Sequence, residues 1–254
     1  MGLRIQALAR QVGLVLLLAL VPRVTGAAEE LPQVLDRPLE TLAPTAAWED
    51  RLVRLFAEGA LRDEIKRARP VTRWLGPIIV SVHGDAAGSF MAAVDAVAAE
   101  LAEASGLAIE VKEAPPERGD IMVVLTWRKS YWPSAAAPVD PANRQFTCMA
   151  IPSSADGRMI RSEVHVNAGN VGVETAEACL LEEILQSLGL FGEVQDPATA
   201  LFDGIGYRHL GQADRLLLRA LYDRRLRAGA EGEEAMAQAR PIIAELLRAL
   251  SAPR

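Results

Sequence analysis

One stretch of the sequence, Cys179 to Leu190, restricts the fold more than any other. It reads CLLEEILQSLGL, and its apolar residues recur at three- and four-residue steps, which is typical of a helix with one buried side. Thr175 is a suitable N-cap just upstream, and Gly189 is a typical residue for a helix end. The sequence therefore predicts a helix over about 175–189 whose core side carries Leu181, Ile184, Leu185 and Leu188.

The polar residues of this helix have the spacing of a zinc-peptidase motif. Glu182 and Gln186 are four positions apart and share one face, with Glu183 about 100° around the axis. In H-E-x-x-H the two histidines bind the metal and the intervening glutamate is the general base. Glu182 and Gln186 stand at the two histidine positions and Glu183 at the catalytic glutamate. We expect this helix to keep the geometry of the motif although both of the motif's histidines are absent.

The replaced ligands determine what we expect of a cofactor. A catalytic zinc site uses about three protein ligands, normally imidazoles with a carboxylate. Glu182 offers a carboxylate and Gln186 an amide carbonyl, which are oxygen ligands suited to calcium, magnesium or manganese rather than zinc. We therefore expect no cofactor and no tightly bound zinc, while a weakly bound divalent metal stays open.

The N-terminus indicates export. Arg4 and Arg10 precede the ten-residue apolar run 12–21, and small residues follow at 25–28, so residues 1–27 are predicted to be a signal peptide. An uncleaved anchor is the alternative, but ten apolar residues fall short of the roughly 20 that a spanning helix needs. We expect a bacterial periplasmic or secreted protein with no stable membrane span after cleavage.

Charge and cysteine content fit the same compartment. The net charge is −6 and becomes about −9 if Arg4, Arg10 and Arg23 leave with the leader, which argues against nucleic acid as a partner. Cys148 and Cys179 are the two cysteines, so an exported chain is predicted to join them in a disulfide, with two buried free thiols as the alternative.

The order of predicted elements indicates an α+β fold. Residues 28–73 form an N-terminal lead-in and a helix from Ala46 to about Lys66, and residues 74–254 form the main domain. Strands are expected at 78–83, 107–111, 121–126, 146–151 and 159–167, helices at 90–105, 213–223 and 231–250 (the last broken or kinked near Pro241), and a long loop at 128–144. This pattern predicts a twisted sheet packed on helices, with a mostly helical C-terminal part.

Several features together resemble an uncharacterised family of secreted and lipoprotein-like bacterial proteins, a domain of unknown function. They are Trp74 with Pro77, Cys148, Cys179, the E-E-x-x-Q-x-L-G sequence of 182–189, and Asp214-Arg215 leading to Leu221-Tyr222-Asp223. Arg224 replaces the proline usual after Tyr-Asp in that family. The family looks like a relative of the zincin metallopeptidases, so the resemblance implies a zincin-like fold around an altered active-site helix.

Other side chains could complete a site on this helix. His83, His165 and His209 are the available imidazoles, and His165 is the strongest of them because the strand before the helix borders the cleft in zincin-like folds. Glu182 and Glu183 could perform acid–base chemistry with a carboxylate from elsewhere. Asp196 and Asp203 are the candidates for that partner.

Three functional hypotheses follow from this pattern. The leading one is a non-catalytic exported protein that binds a peptide or a cell-envelope component in a cleft beside the altered helix. The second is an active hydrolase, with or without a metal, in which Glu183 is the general base. The third is an envelope scaffold whose helical C-terminus binds a partner.

Overall fold

A mixed five-stranded sheet with helices packed on it organises the chain in this computed structural model. The structure describes residues 33–38, 42–43, 45–112, 119–133, 147–202 and 205–250. Its elements are β1 (Gln33–Leu35), α1 (Ala46–Ala60), β2 (Ile78–His83), α2 (Ala87–Ser105), β3 (Ile109–Lys112), β4 (Ile121–Thr126), β5 (Cys148–Ala155), β6 (Arg158–Asn167), α3 (Ala168–Val171), α4 (Val173–Ser187), β7 (Ile205–Tyr207), α5 (Gln212–Tyr222) and α6 (Gly232–Ala249).

The sheet has the strand order β3-β2-β4-β6-β5. The first four of these strands are parallel to their neighbours, while β5 pairs with β6 in the antiparallel direction. Strands β5 and β6 are joined by the tight turn at Asp156 and Gly157. The chain then passes from β6 through the short α3 into α4. Helix α4 packs against both β6 and the edge strand β5.

The two faces of the sheet differ in character. Val164 and Val166 of β6 are buried and face the helices, whereas Glu163 and His165 alternate with them and point to the opposite face. Helices α2 and α4 contact each other and pack on the sheet, and α1, α5 and α6 pack together. The large fully buried side chains include Phe56, Phe90, Leu101, Ile121, Leu125, Leu180, Leu181 and Leu185.

The α+β prediction is confirmed, including the helical C-terminal part. Three local predictions differ from the structure. Helix α4 begins after Gly172, whose φ of 82° ends the preceding helix, so Thr175 lies inside α4 rather than capping it. Helix α1 ends at Ala60 rather than near Lys66, and α6 continues through Pro241 without a break.

One pair of strands was not predicted, and some predicted features lie outside the described residues. The short parallel pair β1 and β7 was not predicted, because three residues are too few for a recognisable alternation. The predicted signal peptide at 1–27, residues 134–144 of the predicted loop and Asp203 lie outside the described residues.

The described residues form one compact unit. Leu52 and Phe56 of α1 belong to the same buried core as the sheet and α4. Within the part of the chain that the structure describes, no helix is both long and apolar enough to cross a membrane.

Candidate functional site

Helix α4 is attached to the sheet at its middle and at its end. Near its middle, Cys179 forms the predicted disulfide with Cys148 of β5, with the two Cα atoms 6.0 Å apart. At its end, the Ser187 hydroxyl lies 2.7 Å from the Ser162 hydroxyl of β6, and the Trp74 indole donates to the Ser187 carbonyl at 2.9 Å. The side chains between these attachments are therefore held in place relative to β5.

Glu183 and Gln186 meet a third polar residue in front of α4. Glu183 is 6% exposed and Gln186 is 3% exposed. With its nitrogen turned toward the carboxylates, the Gln186 amide donates to Glu183 Oε2 at 3.1 Å and to Glu64 Oε1 at 3.2 Å. Each amide proton has one acceptor, so Gln186 bridges two carboxyl groups from different parts of the chain. We call Glu64 and Glu183, together with the Gln186 amide that bridges them, the bridged carboxyl pair.

Glu64 was not predicted, and its position depends on a turn after α1. The Asp63 carboxylate accepts the Arg67 backbone N–H at 2.9 Å and Arg67 Nε at 2.7 Å, while the Arg69 N–H donates to the Leu61 carbonyl at 2.9 Å. The turn also needs Lys66 at φ 62°. The sequence offered no signal for Glu64 because only tertiary packing brings this turn to α4.

Burial and neighbouring negative charge raise the pKa of both carboxyl groups of the bridged carboxyl pair. Burial raises the pKa of Glu183 well above its ordinary value, and the charges of Glu182, Glu64 and Glu193 add to this, against one backbone N–H from Ala150. Burial and Asp63 likewise raise the pKa of Glu64, while the Gln186 amide opposes the shift. The half-buried Glu182 thus acts on Glu183 through its charge.

A cavity of about 270 Å³ opens beside the pair. It is lined by Asp63, Glu64, Ile65, Arg67, Arg69, Ala150, Ile151, Pro152, Gln186 and Phe191. Three of these residues belong to β5, so the cavity borders the sheet edge. Glu64 and Gln186 face the cavity, whereas Glu183 lies behind them.

The edge of β5 presents backbone groups toward this side. The Asn167 N–H donates to the Thr147 carbonyl at 2.7 Å, and in an antiparallel pair the bonded and non-bonded positions alternate. Cys148, Ala150 and Pro152 are therefore the positions whose backbone groups point away from β6. Proline suits such a position because it has no N–H to donate to the ladder. Among the described residues no strand pairs with this outer side.

The other candidate residues lie elsewhere. His165 points to the opposite face of the sheet, where its Nδ1 is 2.8 Å from the Tyr131 hydroxyl and its Nε2 is 3.3 Å from Glu163 Oε2. Burial lowers the pKa of His165. His165, the strongest of the three histidine candidates, therefore does not lie with the α4 residues.

The remaining histidines and the proposed aspartate partner have other contacts. His83 ends β2, and His209 bonds Glu100 of α2. The Asp196 carboxylate pairs with Arg51 of α1, so it is not the partner of Glu183. Glu64 takes the position for which Asp196 had been a candidate, and the other candidate, Asp203, lies outside the described residues.

The donors at the bridged carboxyl pair do not fit a zinc ion. The pair offers two carboxyl groups and an amide but no imidazole, and the Gln186 amide is already used by the carboxyls. No group of three or more His, Cys, Asp or Glu side chains in the described ranges could hold a metal ion.

Together these features define an α+β protein with two carboxyl groups bridged by an amide, beside a sheet edge with which no described strand pairs. Residues 49–241 match the family described as Protein of unknown function (DUF2927), and the chain belongs to this family. The family resemblance noted in the sequence is thereby confirmed at this level. No curated protein matches the chain.

Proposed function

We propose that this protein is an exported, non-catalytic binding protein that holds an extended peptide segment of a cell-envelope component along the outer edge of β5. The single observation that supports this most strongly is the position of the cavity, directly beside the outward backbone groups of β5. An extended peptide added to a sheet edge gains main-chain hydrogen bonds, and neighbouring pockets select its side chains.

The attachment of α4 to the edge strand favours binding. The disulfide at Cys148 lies two residues from Ala150, whose N–H bonds the Glu183 carboxylate. The edge is therefore linked to the helix at adjacent positions and needs little ordering when a ligand arrives, which lowers the entropic cost of binding. A zincin-like ancestry would account for a peptide groove in front of this helix.

The state of Glu183 argues against hydrolysis. A general base must be ionised and within reach of the proton it removes. Glu183 has a raised pKa, lies behind Gln186 and Glu64, and already accepts hydrogen bonds from Gln186 and Ala150. A metal would normally activate the water in this class of site, and the donors present do not fit zinc.

The proposal is tested with an array of immobilised ten-residue peptides of varied sequence, probed with labelled protein. Ile151 lines the cavity, whereas Ile160 is 58% exposed on the neighbouring strand and does not line it. We expect wild type and Ile160→Asp to bind the same subset of peptides and Ile151→Asp to lose at least tenfold in affinity. Equal binding by all three proteins, or no binding by wild type, would overturn the proposal.

Hydrolysis by the bridged carboxyl pair is the second candidate, supported by one observation. Two carboxyl groups with raised pKa that share a hydrogen-bonding partner can exchange protons in mild acid. The test incubates peptide mixtures at pH 4 to 7, with and without chelator, and detects new termini by mass spectrometry. Cleavage by wild type that Glu183→Gln abolishes would favour this candidate over binding alone.

Export has its own test. We expect the full-length chain, expressed in a bacterium, to be recovered from the periplasm or medium without residues 1–27, as N-terminal sequencing would reveal. Recovery of the intact chain from the cytoplasm would contradict this part of the proposal.

A further inference from the structure

The charged residues of the cavity are not all paired with one another. Asp63 and Arg67 form an ion pair through Arg67 Nε within the turn after α1, and the Asp63 carboxylate also accepts the Arg67 backbone N–H. Glu64 bonds the Gln186 amide. Arg69 is close enough to Asp63 to lower the pKa of that carboxyl, but it forms no ion pair with a carboxylate of the described residues. The cavity therefore contains one guanidinium whose charge is not matched by a directly bonded anion.

Arg69 is held in a defined orientation. Its Cζ lies 4.4 Å from the centre of the buried Phe191 ring, and its Nη2 donates to the Ser154 hydroxyl of β5 at a long 3.4 Å. Stacking on an aromatic ring limits the rotamers of an arginine before any ligand binds. Less conformational entropy is then lost when an anion pairs with it.

The hydrogen-bonding capacity of Arg69 is also incompletely used. Its Nε is buried and has no hydrogen-bond partner. A buried donor without an acceptor costs free energy, on the order of 1–3 kcal/mol. Nε and Nη2 form one side of the guanidinium fork and match the two oxygens of a carboxylate. Arg69 lines the cavity in this stacked position, and the long Ser154 contact leaves its Nη2 able to bond a better acceptor there.

We infer that Arg69 binds a carboxylate of the peptide ligand, so that the protein selects peptides with an acidic side chain or a free C-terminus at this point. The inference rests on the proposed function, because the peptide would lie along β5. Ser154 belongs to that strand, four residues beyond Ala150, which corresponds to about 13 Å of extended chain. A carboxylate at Arg69 would thus lie a few ligand residues away from the bridged carboxyl pair, where a second negative charge would be disfavoured.

The experiment starts from a peptide that wild type captures on the array. Four versions are synthesised: each acidic side chain intact or changed to its amide, combined with a free or an amidated C-terminus. Affinities are measured by fluorescence anisotropy for wild type, Arg69→Met, Arg69→Lys and Arg161→Met. Arg161 is the control, because it lies on the neighbouring strand β6, is paired with Glu163 and does not line the cavity.

We expect removal of one carboxylate to weaken binding to wild type and Arg161→Met at least tenfold. Arg69→Met should bind the acidic and neutral versions equally, and Arg69→Lys should discriminate less than wild type because it lacks the fork. The versions that lose affinity distinguish an acidic side chain from a chain terminus. Thermal unfolding verifies that the variants are folded.

Each outcome separates this inference from the proposed function. If wild type binds all four versions equally, the inference is wrong while peptide binding stands. If Arg69→Met still prefers the acidic version, another cation makes the selection and the inference is again wrong. Loss of all peptide capture by wild type would instead overturn the proposed function.

Discussion

Two buried carboxyl groups in this protein have opposite surroundings. Asp214 of α5 is fully buried and accepts three hydrogen bonds, from the Thr199 hydroxyl at 2.5 Å, the Ala200 N–H at 2.9 Å and the Gly211 N–H at 2.9 Å. Glu183 is almost as buried, but its neighbours include the carboxyl groups of Glu182, Glu64 and Glu193. Hydrogen-bond donors surround the Asp214 carboxylate, whereas other carboxyl groups lie near that of Glu183.

The difference separates a structural carboxylate from a candidate functional one. Burial raises the pKa of Asp214 to about 6, against the donors and the charge of Arg215, which lower it. Its bonds join the segment around Thr199 to the start of α5, which explains the burial. The surroundings of Glu183 instead raise its pKa further, and no feature of the fold requires this. An electrostatically unfavourable arrangement that does not stabilise the fold is typical of functional sites.

The largest effect is expected at the structural carboxylate. Asp214→Ala leaves three donors without an acceptor, each worth about 1–3 kcal/mol when buried. We expect the free energy of unfolding to fall by about 3–5 kcal/mol, measured by urea denaturation at pH 7. A loss below about 1 kcal/mol would mean that the donors find other acceptors, and the contrast between the two carboxyl groups would weaken.

The same contrast explains what the sequence could reveal. The α4 helix and the positions of Glu183 and Gln186 follow from a local three- and four-residue period. Asp214 and Arg215 were noted only as a family feature. The donors to the Asp214 carboxylate, at Thr199 and Ala200, come from a separate segment and could not be predicted from the local sequence.

Long-range placement was the part that could not be predicted. Glu64 reaches Gln186 across more than a hundred residues, through a turn that local pattern assigned to the end of a helix. The disulfide was predictable because the chain was expected to be exported and its two cysteines allow a single pairing. The orientation of His165 depended on the register of β6, and a shift of one residue reverses the face.

The second effect concerns the attachment of the acidic site. Replacing both Cys148 and Cys179 by serine opens a loop with a sequence separation of 31 residues. On the chain-entropy model this lowers the free energy of unfolding by about 3–4 kcal/mol. Denaturation of the double variant measures the loss, and the unreduced, denatured wild type should show no free thiol. Unchanged stability would mean that β5 and α4 stay together without the covalent link.

The third substitution is expected to raise the free energy of unfolding rather than lower it. Glu183→Gln removes a carboxyl group whose ionised form is disfavoured, so we expect it to stabilise the fold at pH 7 by about 2 kcal/mol. Because the folded pKa is raised, the protonated form stabilises wild type at low pH, and this contribution is lost as pH rises above the ordinary glutamate value. The gain should therefore be small near pH 4 and grow toward neutrality. Equal destabilisation at both pH values would show that the Glu183 carboxylate is structural, like Asp214.

The smallest effect makes Asp214 more like Glu183 by removing one donor. Thr199→Val deletes the hydroxyl that bonds Asp214 and that also accepts the Leu201 N–H, so we expect a loss of about 1–2 kcal/mol. The Leu201 part of this loss does not depend on pH. The Asp214 part does, because the hydroxyl stabilises the carboxylate, and without it the folded pKa rises further above about 6. Denaturation at pH 4 and pH 8 should therefore give a larger loss at pH 8, and a loss that is the same at both values would mean that Thr199 does not stabilise the ionised form.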